Sequence, residues 1–385
     1  MRGLKAGRER RAPGRSFCCC VSSLFHHSSS SSTSTGTGSR YAHVEDFGPG
    51  DEPSIPKVSN WVLLSSLGIL LLGTQHHGTQ SMPKMSKLEV IGRALTDEHK
   101  LRFVRDGFVV LESLISASSA ALLNERFERV LRAEYDTGVP PDKRPKAVKE
   151  ANQGVLGFSG NIPPKGSKTL QVINVWKCDS AFRDFVTSPV LGALVADLAG
   201  WPGGARVAQD QVWAKPPGAP PLVFHRDSPY FDFEPADVVT VWLALDRMDQ
   251  ELGPLEYVKA SHLWGDARTG SASVFFDEDR TALMHSAAAA EGIGAHELEI
   301  ASLEGLEAGS VGIHNGRTWH GSGPNASKTR PRRGLGVHFV PADVRFKSGE
   351  LGPLWKKLQI GDTLVASDES FPVTCDRRSG LLPSS

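Results

Sequence analysis

The feature that most restricts the fold is a series of short apolar segments after Gly204, separated by Gly, Pro and Asp. Short runs with turn residues between them are typical of β-strands in a sandwich or barrel. The pattern predicts a mainly β domain of the jelly-roll kind, with the earlier helices packed on its outside. The predicted strands are Arg206–Lys215, Leu222–His225, Val238–Leu245, Leu255–Lys259, Ser310–His314 and Gly334–Pro341.

The segment before Gly204 has helical periodicity. Thr96 is placed to cap a short helix, and "DGFVVLESLI" follows it as a strand. A second helix is predicted from one apolar stripe, whose last member is polar and marks the edge of the stripe. A third helical region spans 181–199 and ends at "GWPGG". The stripe consists of Leu123, Phe127, Val130, Leu131 and Glu134. Two long loops are predicted at 140–168 and 265–296.

Length and charge limit the function classes. The chain has 385 residues, 39% of them hydrophobic, which is enough for one large or two ordinary domains. Its formal net charge of +0 gives no reason to expect nucleic acid or a membrane surface as a partner. Three of the five cysteines are adjacent, at 18–20, so no disulfide framework is indicated and a reducing compartment is expected.

The N-terminal region, residues 1–90, differs in composition from the rest. Residues 1–15 hold six basic side chains and one acidic one, and a serine tract follows at 28–32, which is typical of organelle transit peptides. The apolar run "WVLLSSLGILLLG" at 61–73 is shorter than the roughly 20 residues that span a bilayer. Three readings stay open: a targeting segment, a membrane anchor, which is the least favoured, or a chain whose true start is Met82 or Met85. We expect an intracellular protein, cytoplasmic unless this region directs it to an organelle.

The segment "VFHRDSPYF" carries a candidate metal motif. Residues i and i+2 of an extended segment share a face, so His225 and Asp227 can converge on one point. Two histidines of "VGIHNGRTWHGSGPN", His314 and His320, compete for the role of third ligand. Two imidazoles and one carboxylate form the facial triad of non-haem Fe(II) oxygenases. Alone, an H-x-D triplet is more often a pair of solvated residues at a strand end.

The surrounding motifs resemble the phytanoyl-CoA dioxygenase-like family of Fe(II)- and 2-oxoglutarate-dependent oxygenases. They are "DGFVVLESLI", "KPPG", "FHRDSPYFDFEP", "GPLEYVKASHLWG" and "WHGSGPNASKTRPRRGLGVHF", within residues 95–343. The resemblance implies a double-stranded β-helix, a jelly-roll or cupin-like barrel. It also implies that His225, Asp227 and His320 are the catalytic iron ligands, and that His314 is structural or faces the substrate.

The resemblance also assigns residues to 2-oxoglutarate. It implies that Arg332 binds the far carboxylate, since a planar guanidinium can make two parallel hydrogen bonds, with Ser322 as a second donor and Trp242 as a wall. Because the spacing from His320 is one residue longer than usual, Arg333 stays an alternative. Lys215 has two readings, a pocket residue or a lysine that reaches solvent along the barrel.

Alternation along "RRGLGVHF" favours Arg332. It shares a face with Gly334, Gly336 and His338, which leave room for a co-substrate inside the barrel. The other face carries Arg333 with Leu335, Val337 and Phe339. That apolar row is expected to pack on the neighbouring layer of the sandwich, and Arg333, at the start of the strand, can turn out to solvent.

These observations predict an enzyme that hydroxylates a small molecule with Fe(II), 2-oxoglutarate and dioxygen, and with ascorbate as an optional supporting reductant. The carboxylate of Asp227 favours hydroxylation over halogenation, because relatives that halogenate leave that position empty. The rival prediction is an inactive barrel that serves as a binding or scaffold module. The predicted domains are a low-complexity region at 1–90, the oxygenase domain at 91–345 and a C-terminal extension at 346–385. The substrate and the oligomeric state stay open.

Overall fold

The structure, a computed structural model, describes Val90 and residues 95–143, 169–265, 279–347 and 370–378. The apolar run at 61–73, residues 144–168 of the first predicted loop and residues 266–278 of the second lie outside these ranges. Within the described ranges, no helix is long and apolar enough to cross a bilayer. The helices described are α1 Asp97–Asp106, α2 Ala117–Leu131, α3 Ser180–Val186, α4 Pro189–Ala199 and α5 Ala282–Ala290.

Antiparallel strands make up most of the regular structure after residue 200. The strands are β1 Phe108–Leu111, β2 Leu170–Ile173, β3 Gly204–Lys215, β4 Leu222–His225, β5 Phe233–Glu234, β6 Val239–Ala244, β7 Leu255–Val258, β8 Ile300–Ser302, β9 Val311–Asn315, β10 His320–Ser322, β11 Arg332–Pro341, β12 Arg345–Phe346 and β13 Val373–Asp376. The predicted strands agree with the observed ones to within one or two residues at each end. The prediction of a mainly β fold with flanking helices is confirmed.

Two antiparallel sheets carry the architecture. The larger has the order β1-β9-β6-β11-β3-β13, with β2 also paired to β3, and the smaller has the order β4-β10-β7-β8. Strand β13 comes from the predicted C-terminal extension and pairs with β3 through Cys375 and Ala205. The sheet order is not the chain order, so segments far apart in sequence become neighbours.

The main apolar core lies on the outer face of the larger sheet. The row Leu335, Val337 and Phe339 of β11 is fully buried there in one cluster with residues of α2, α3 and α4, such as Phe127 and Phe182. The expectation that this row packs on the other sheet was wrong. The inner face of the larger sheet is occupied by the polar residues of the site described below, so the apolar row packs against the helical layer.

Three predicted boundaries also change. Helix α2 ends at Leu131, so Glu134 is not part of it. The helical region at 181–199 is two helices, because Ser188 caps a new helix that begins at Pro189. The predicted loop at 265–296 contains α5.

Candidate metal centre

His225 and His320 meet because their strands pair. His225 is the last residue of β4, His320 is the first of β10, and the two are directly opposite in the antiparallel register. Their ring centroids are 4.1 Å apart. Asp227 follows β4 by two residues, and its backbone N–H donates to the Gly316 carbonyl at 2.8 Å. This bond ties the turn after β4 to the segment that leads into β10.

Side-chain donor atoms of His225, Asp227 and His320 lie within 4.8 Å of one another, and all three residues are buried. The Nε2 atoms of His225 and His320 are 3.8 Å and 3.6 Å from Oδ1 of Asp227. Two imidazole nitrogens and one carboxylate oxygen on a common side form the donor set of a facial triad. Of the two candidate histidines, the structure brings His320 into this cluster.

The hydrogen bonds of both imidazoles favour metal binding. Nδ1 of His225 donates to the Val223 carbonyl at 2.8 Å, and Nδ1 of His320 donates to the Thr318 carbonyl at 2.9 Å. Burial lowers the pKa of His225 to about 3 and that of His320 to about 4. Both rings are therefore neutral at pH 7, with the lone pair on Nε2, where a metal ligand needs it.

The other oxygen of Asp227 is held by the protein. Oδ2 accepts a hydrogen bond from Thr240 Oγ1 at 2.6 Å and one from His314 Nε2 at 2.9 Å. Burial alone would raise the pKa of this carboxyl, but attraction to His320 and His338 and the bond from His314 hold the pKa well below its usual value. Asp227 is therefore an ionised carboxylate with Oδ1 directed at the two Nε2 atoms.

His314 lies behind the cluster. Its Nδ1 is 3.2 Å from the hydroxyl of Tyr257, and its Nε2 bonds to Asp227. Because the carboxylate accepts at Nε2, that nitrogen carries the proton and Nδ1 accepts from Tyr257. Of the two readings proposed for His314, this contact supports the structural one.

The support that Asp227 receives through Thr240 was not predicted from the sequence. Nδ1 of His338 donates to Thr240 Oγ1 at 2.9 Å, and the amide of Gln211 donates to Nε2 of His338 at 2.7 Å. This row crosses three neighbouring strands of the larger sheet, β6, β11 and β3. Alternation was a usable signal, since Thr240 shares a face with Trp242 and His338 shares a face with Arg332.

The second group of predicted residues lies on the same inner face. Arg332 is 1% exposed, its Nη2 is 3.5 Å from Ser322 Oγ, and its guanidinium carbon is 5.5 Å from the ring centre of Trp242. A Cβ on Gly334 would collide with the indole of Trp242, so this position must be glycine for the ring to lie there. Arg332 and Trp242 line the same pocket as His225, Asp227 and His320.

Arg333 does not turn out to solvent, and that expectation was wrong. It is only 7% exposed, and its Nε and Nη2 donate to the two carboxylate oxygens of Asp246 at 2.8 Å and 2.5 Å. A bidentate carboxylate allows a guanidinium to be buried on the outer face of the sheet. Arg333 is therefore already paired within the protein.

The chain was compared with known proteins. The model of the family described as phytanoyl-CoA dioxygenase (PhyH) matches residues 103–334, which is more than half of the chain. The chain belongs to this family. It is therefore an Fe(II)- and 2-oxoglutarate-dependent dioxygenase, as the sequence resemblance implied. A curated relative, a probable alpha-ketoglutarate-dependent hypophosphite dioxygenase of Stutzerimonas stutzeri, is 22% identical over 254 residues, 64% of this chain and 79% of that protein.

Solved structures agree with the jelly-roll fold. The non-heme alpha-ketoglutarate-dependent carbocyclase SnoK from nogalamycin biosynthesis is 22% identical with a TM-score of 0.55, covering 72% of this chain and 96% of its own. The epimerase SnoN, in complex with Fe3+, alpha-ketoglutarate and nogalamycin RO, is 21% identical with a TM-score of 0.54, covering 72% and 98%. At these identities the likeness shows the fold.

Proposed function

We propose that the protein hydroxylates a C–H bond of a small molecule, with iron held by His225, Asp227 and His320. The observation that carries this proposal is the convergence of three buried donor atoms within 4.8 Å, with both imidazoles neutral. The donor set suits Fe(II), which accepts nitrogen and carboxylate ligands. Bound there, iron with 2-oxoglutarate and dioxygen would supply oxidative decarboxylation of the co-substrate to succinate and CO2, coupled to hydroxylation.

The protein's own share of this chemistry is orientation and charge. Thr240 and His314 hold Oδ2 of Asp227, so that Oδ1 and its negative charge face the metal position. Arg332 and Ser322 would bind the far carboxylate of 2-oxoglutarate, and Trp242 would form a wall beside it. Retention of the Asp227 carboxylate favours hydroxylation over halogenation. The names of the relatives give different activities, so the proposal stops at a small-molecule substrate.

The rival is a barrel that binds a partner without catalysis. To separate the two, the purified protein is incubated with Fe(II), ascorbate and 2-oxoglutarate, and succinate is measured together with the iron retained after desalting. We expect succinate formation without added substrate. The Asp227→Ala variant should lose both succinate formation and iron, since the charge that balances Fe(II) is gone. Asp237 is exposed, and Asp237→Ala is the matched control.

Two outcomes would contradict the proposal. A wild-type protein that neither retains iron nor consumes 2-oxoglutarate would support the scaffold module. Wild-type turnover in Asp227→Ala would mean that the carboxylate is not a ligand.

A further inference from the structure

A second buried basic side chain, that of Lys215, lies across the strand pair from Arg332, and the proposed function does not use it. Lys215 is the last residue of β3, and its side chain is fully buried. Its Nζ donates to Ser322 Oγ at 2.8 Å and also to the Gly323 carbonyl. Because the side chain is fully buried, the reading in which this lysine reaches solvent is wrong.

Lys215 lies directly opposite Arg332. The two residues are Cα partners in the antiparallel register of β3 and β11, so their side chains leave the sheet on the same face. Both donate to the hydroxyl oxygen of Ser322. Two like charges facing each other across a strand pair destabilise the sheet. This arrangement costs folding free energy unless something negative binds between them.

Among the described residues, the carboxylates that act on these two groups are already paired elsewhere: Glu256, which acts on Lys215, pairs with Arg280, and Asp246, which acts on Arg332, pairs with Arg333. Within those ranges, the hydrogen bonds of the Lys215 and Arg332 side chains go to neutral oxygens, and Nε of Arg332 is buried with no partner. Burial and the neighbouring Arg332 lower the pKa of Lys215 well below its usual value, and burial lowers the pKa of Arg332 to about 10. An anion bound between the two groups would offset these shifts, because a nearby negative charge favours the charged forms of both.

The backbone of Lys215 is also fixed. The side-chain amide of Asn325 donates to the Lys215 carbonyl at 3.1 Å and to the Arg330 carbonyl at 2.8 Å. This amide links the end of β3 to the segment between β10 and β11. The end of β3 that carries Lys215 is therefore fixed beside the start of β11 that carries Arg332, so that little backbone reorganisation is needed on binding.

We infer that Lys215 is a second cationic ligand for the far carboxylate of 2-oxoglutarate, acting together with Arg332. This inference rests on the proposed function and adds a specificity-determining residue to it. A carboxylate has two oxygens, so one can accept from the guanidinium and the other from the ammonium. The pair of cations selects a 2-oxo acid that carries a second carboxylate over one that ends in a methyl group.

The competing reading makes Lys215 a neutral link between strands, needed only for its hydrogen bonds to Ser322 and Gly323. Glutamine separates the two readings, because its amide N–H groups can still donate to both oxygens while the charge is lost. The variants are therefore Lys215→Gln, Lys215→Met and the control Lys259→Met. Lys259 is a surface lysine that pairs with Glu299 at 2.8 Å, outside the pocket.

The measurement is calorimetric titration of Ni(II)-loaded protein with 2-oxoglutarate and with 2-oxovalerate, in which a methyl group replaces the far carboxylate. We expect Lys215→Gln and Lys215→Met to raise the Kd for 2-oxoglutarate roughly ten- to a hundredfold, because each loses one charge-assisted hydrogen bond. The Kd for 2-oxovalerate should stay within about threefold in both, because the lost bond goes to the far carboxylate. Lys259→Met should match the wild type for both ligands.

Three other results would contradict the inference or the proposed function. If Lys215→Gln keeps the wild-type preference for 2-oxoglutarate, the charge is not used and Lys215 is a structural link. If Lys215→Met weakens both ligands equally, the effect is on the fold of the pocket. If wild-type protein binds Ni(II) but not 2-oxoglutarate, the proposed co-substrate site itself is wrong, independently of Lys215.

Discussion

Replacing Arg332 and Arg333 one at a time by methionine separates two adjacent arginines with different surroundings. Arg332 is buried on the inner face of β11, and its Nε has no hydrogen-bond partner among the described residues, whereas Arg333 is buried on the outer face in a bidentate pair with Asp246. Methionine keeps the apolar length of the side chain and removes the charge. The first change should therefore affect binding, and the second should affect stability.

The magnitudes follow from these contacts. A charge-assisted hydrogen bond contributes about 1.5–3 kcal/mol, and each 1.4 kcal/mol is about tenfold in affinity. We expect Arg332→Met to raise the Kd for 2-oxoglutarate roughly ten- to a hundredfold. Its melting temperature should be unchanged or higher, because an unpaired buried cation costs folding free energy that an apolar side chain does not.

Arg333→Met removes the charged partner of the Asp246 carboxylate, which keeps only hydrogen bonds from the Asn124 amide and from the backbone N–H of residue 333. Removing one member of a buried pair costs about 3–5 kcal/mol. The side chain of Asp246 is 18% exposed, which favours the low end of that range. At roughly 2–4 °C per kcal/mol for a domain of this size, Tm should fall by about 6–12 °C. The Kd for 2-oxoglutarate should stay at the wild-type value.

The assay combines calorimetric titration of Ni(II)-loaded protein with thermal unfolding followed by circular dichroism. If Arg333→Met weakens 2-oxoglutarate binding and Arg332→Met lowers Tm, the roles assigned to the two arginines are wrong. Weaker binding in both variants with equal losses of Tm would mean that the two faces of β11 are not energetically separate.

Three further results are expected. His320→Ala should lose bound iron, whereas His314→Ala should retain it with an affinity lowered about ten- to a hundredfold, because Asp227 is then held less firmly. The iron content after desalting measures this. Equal loss of iron in the two variants would contradict the choice of His320. Burial raises the pKa of Asp210 to about 8, so the folded state holds a proton that the unfolded state has released. Between about pH 4 and pH 8 the wild type should therefore lose stability relative to Asp210→Asn as pH rises. Urea unfolding measures this, and a difference in unfolding free energy between the two proteins that stays constant with pH would argue against it. A chain that begins at Met82 should match the full chain in Tm and in the Kd for 2-oxoglutarate, because no patterned core segment precedes residue 95. An insoluble shortened chain would show that the run at 61–73 packs on the domain.

The sequence alone determined the local features of this protein. Short apolar runs and turn residues placed the strands, because side-chain period and turn chemistry are properties of neighbouring residues. The same period put His225 and Asp227 on one side of their segment. It also assigned Arg332 and Arg333 to opposite faces of β11.

Only the tertiary structure decided which distant segments meet. From spacing alone His314 and His320 were equal candidates. The pairing of β10 with β4 sets His320 opposite His225. His314 lies on β9 of the other sheet and contacts Asp227 from the opposite side. The bond of Arg333 to Asp246 joins residues 87 positions apart, and no local pattern encodes that contact. Lys215 likewise lies opposite Arg332 only because β3 and β11 are neighbours in the sheet. Burial then gives these contacts their effect, because a charge removed from water must find a partner or bind a ligand.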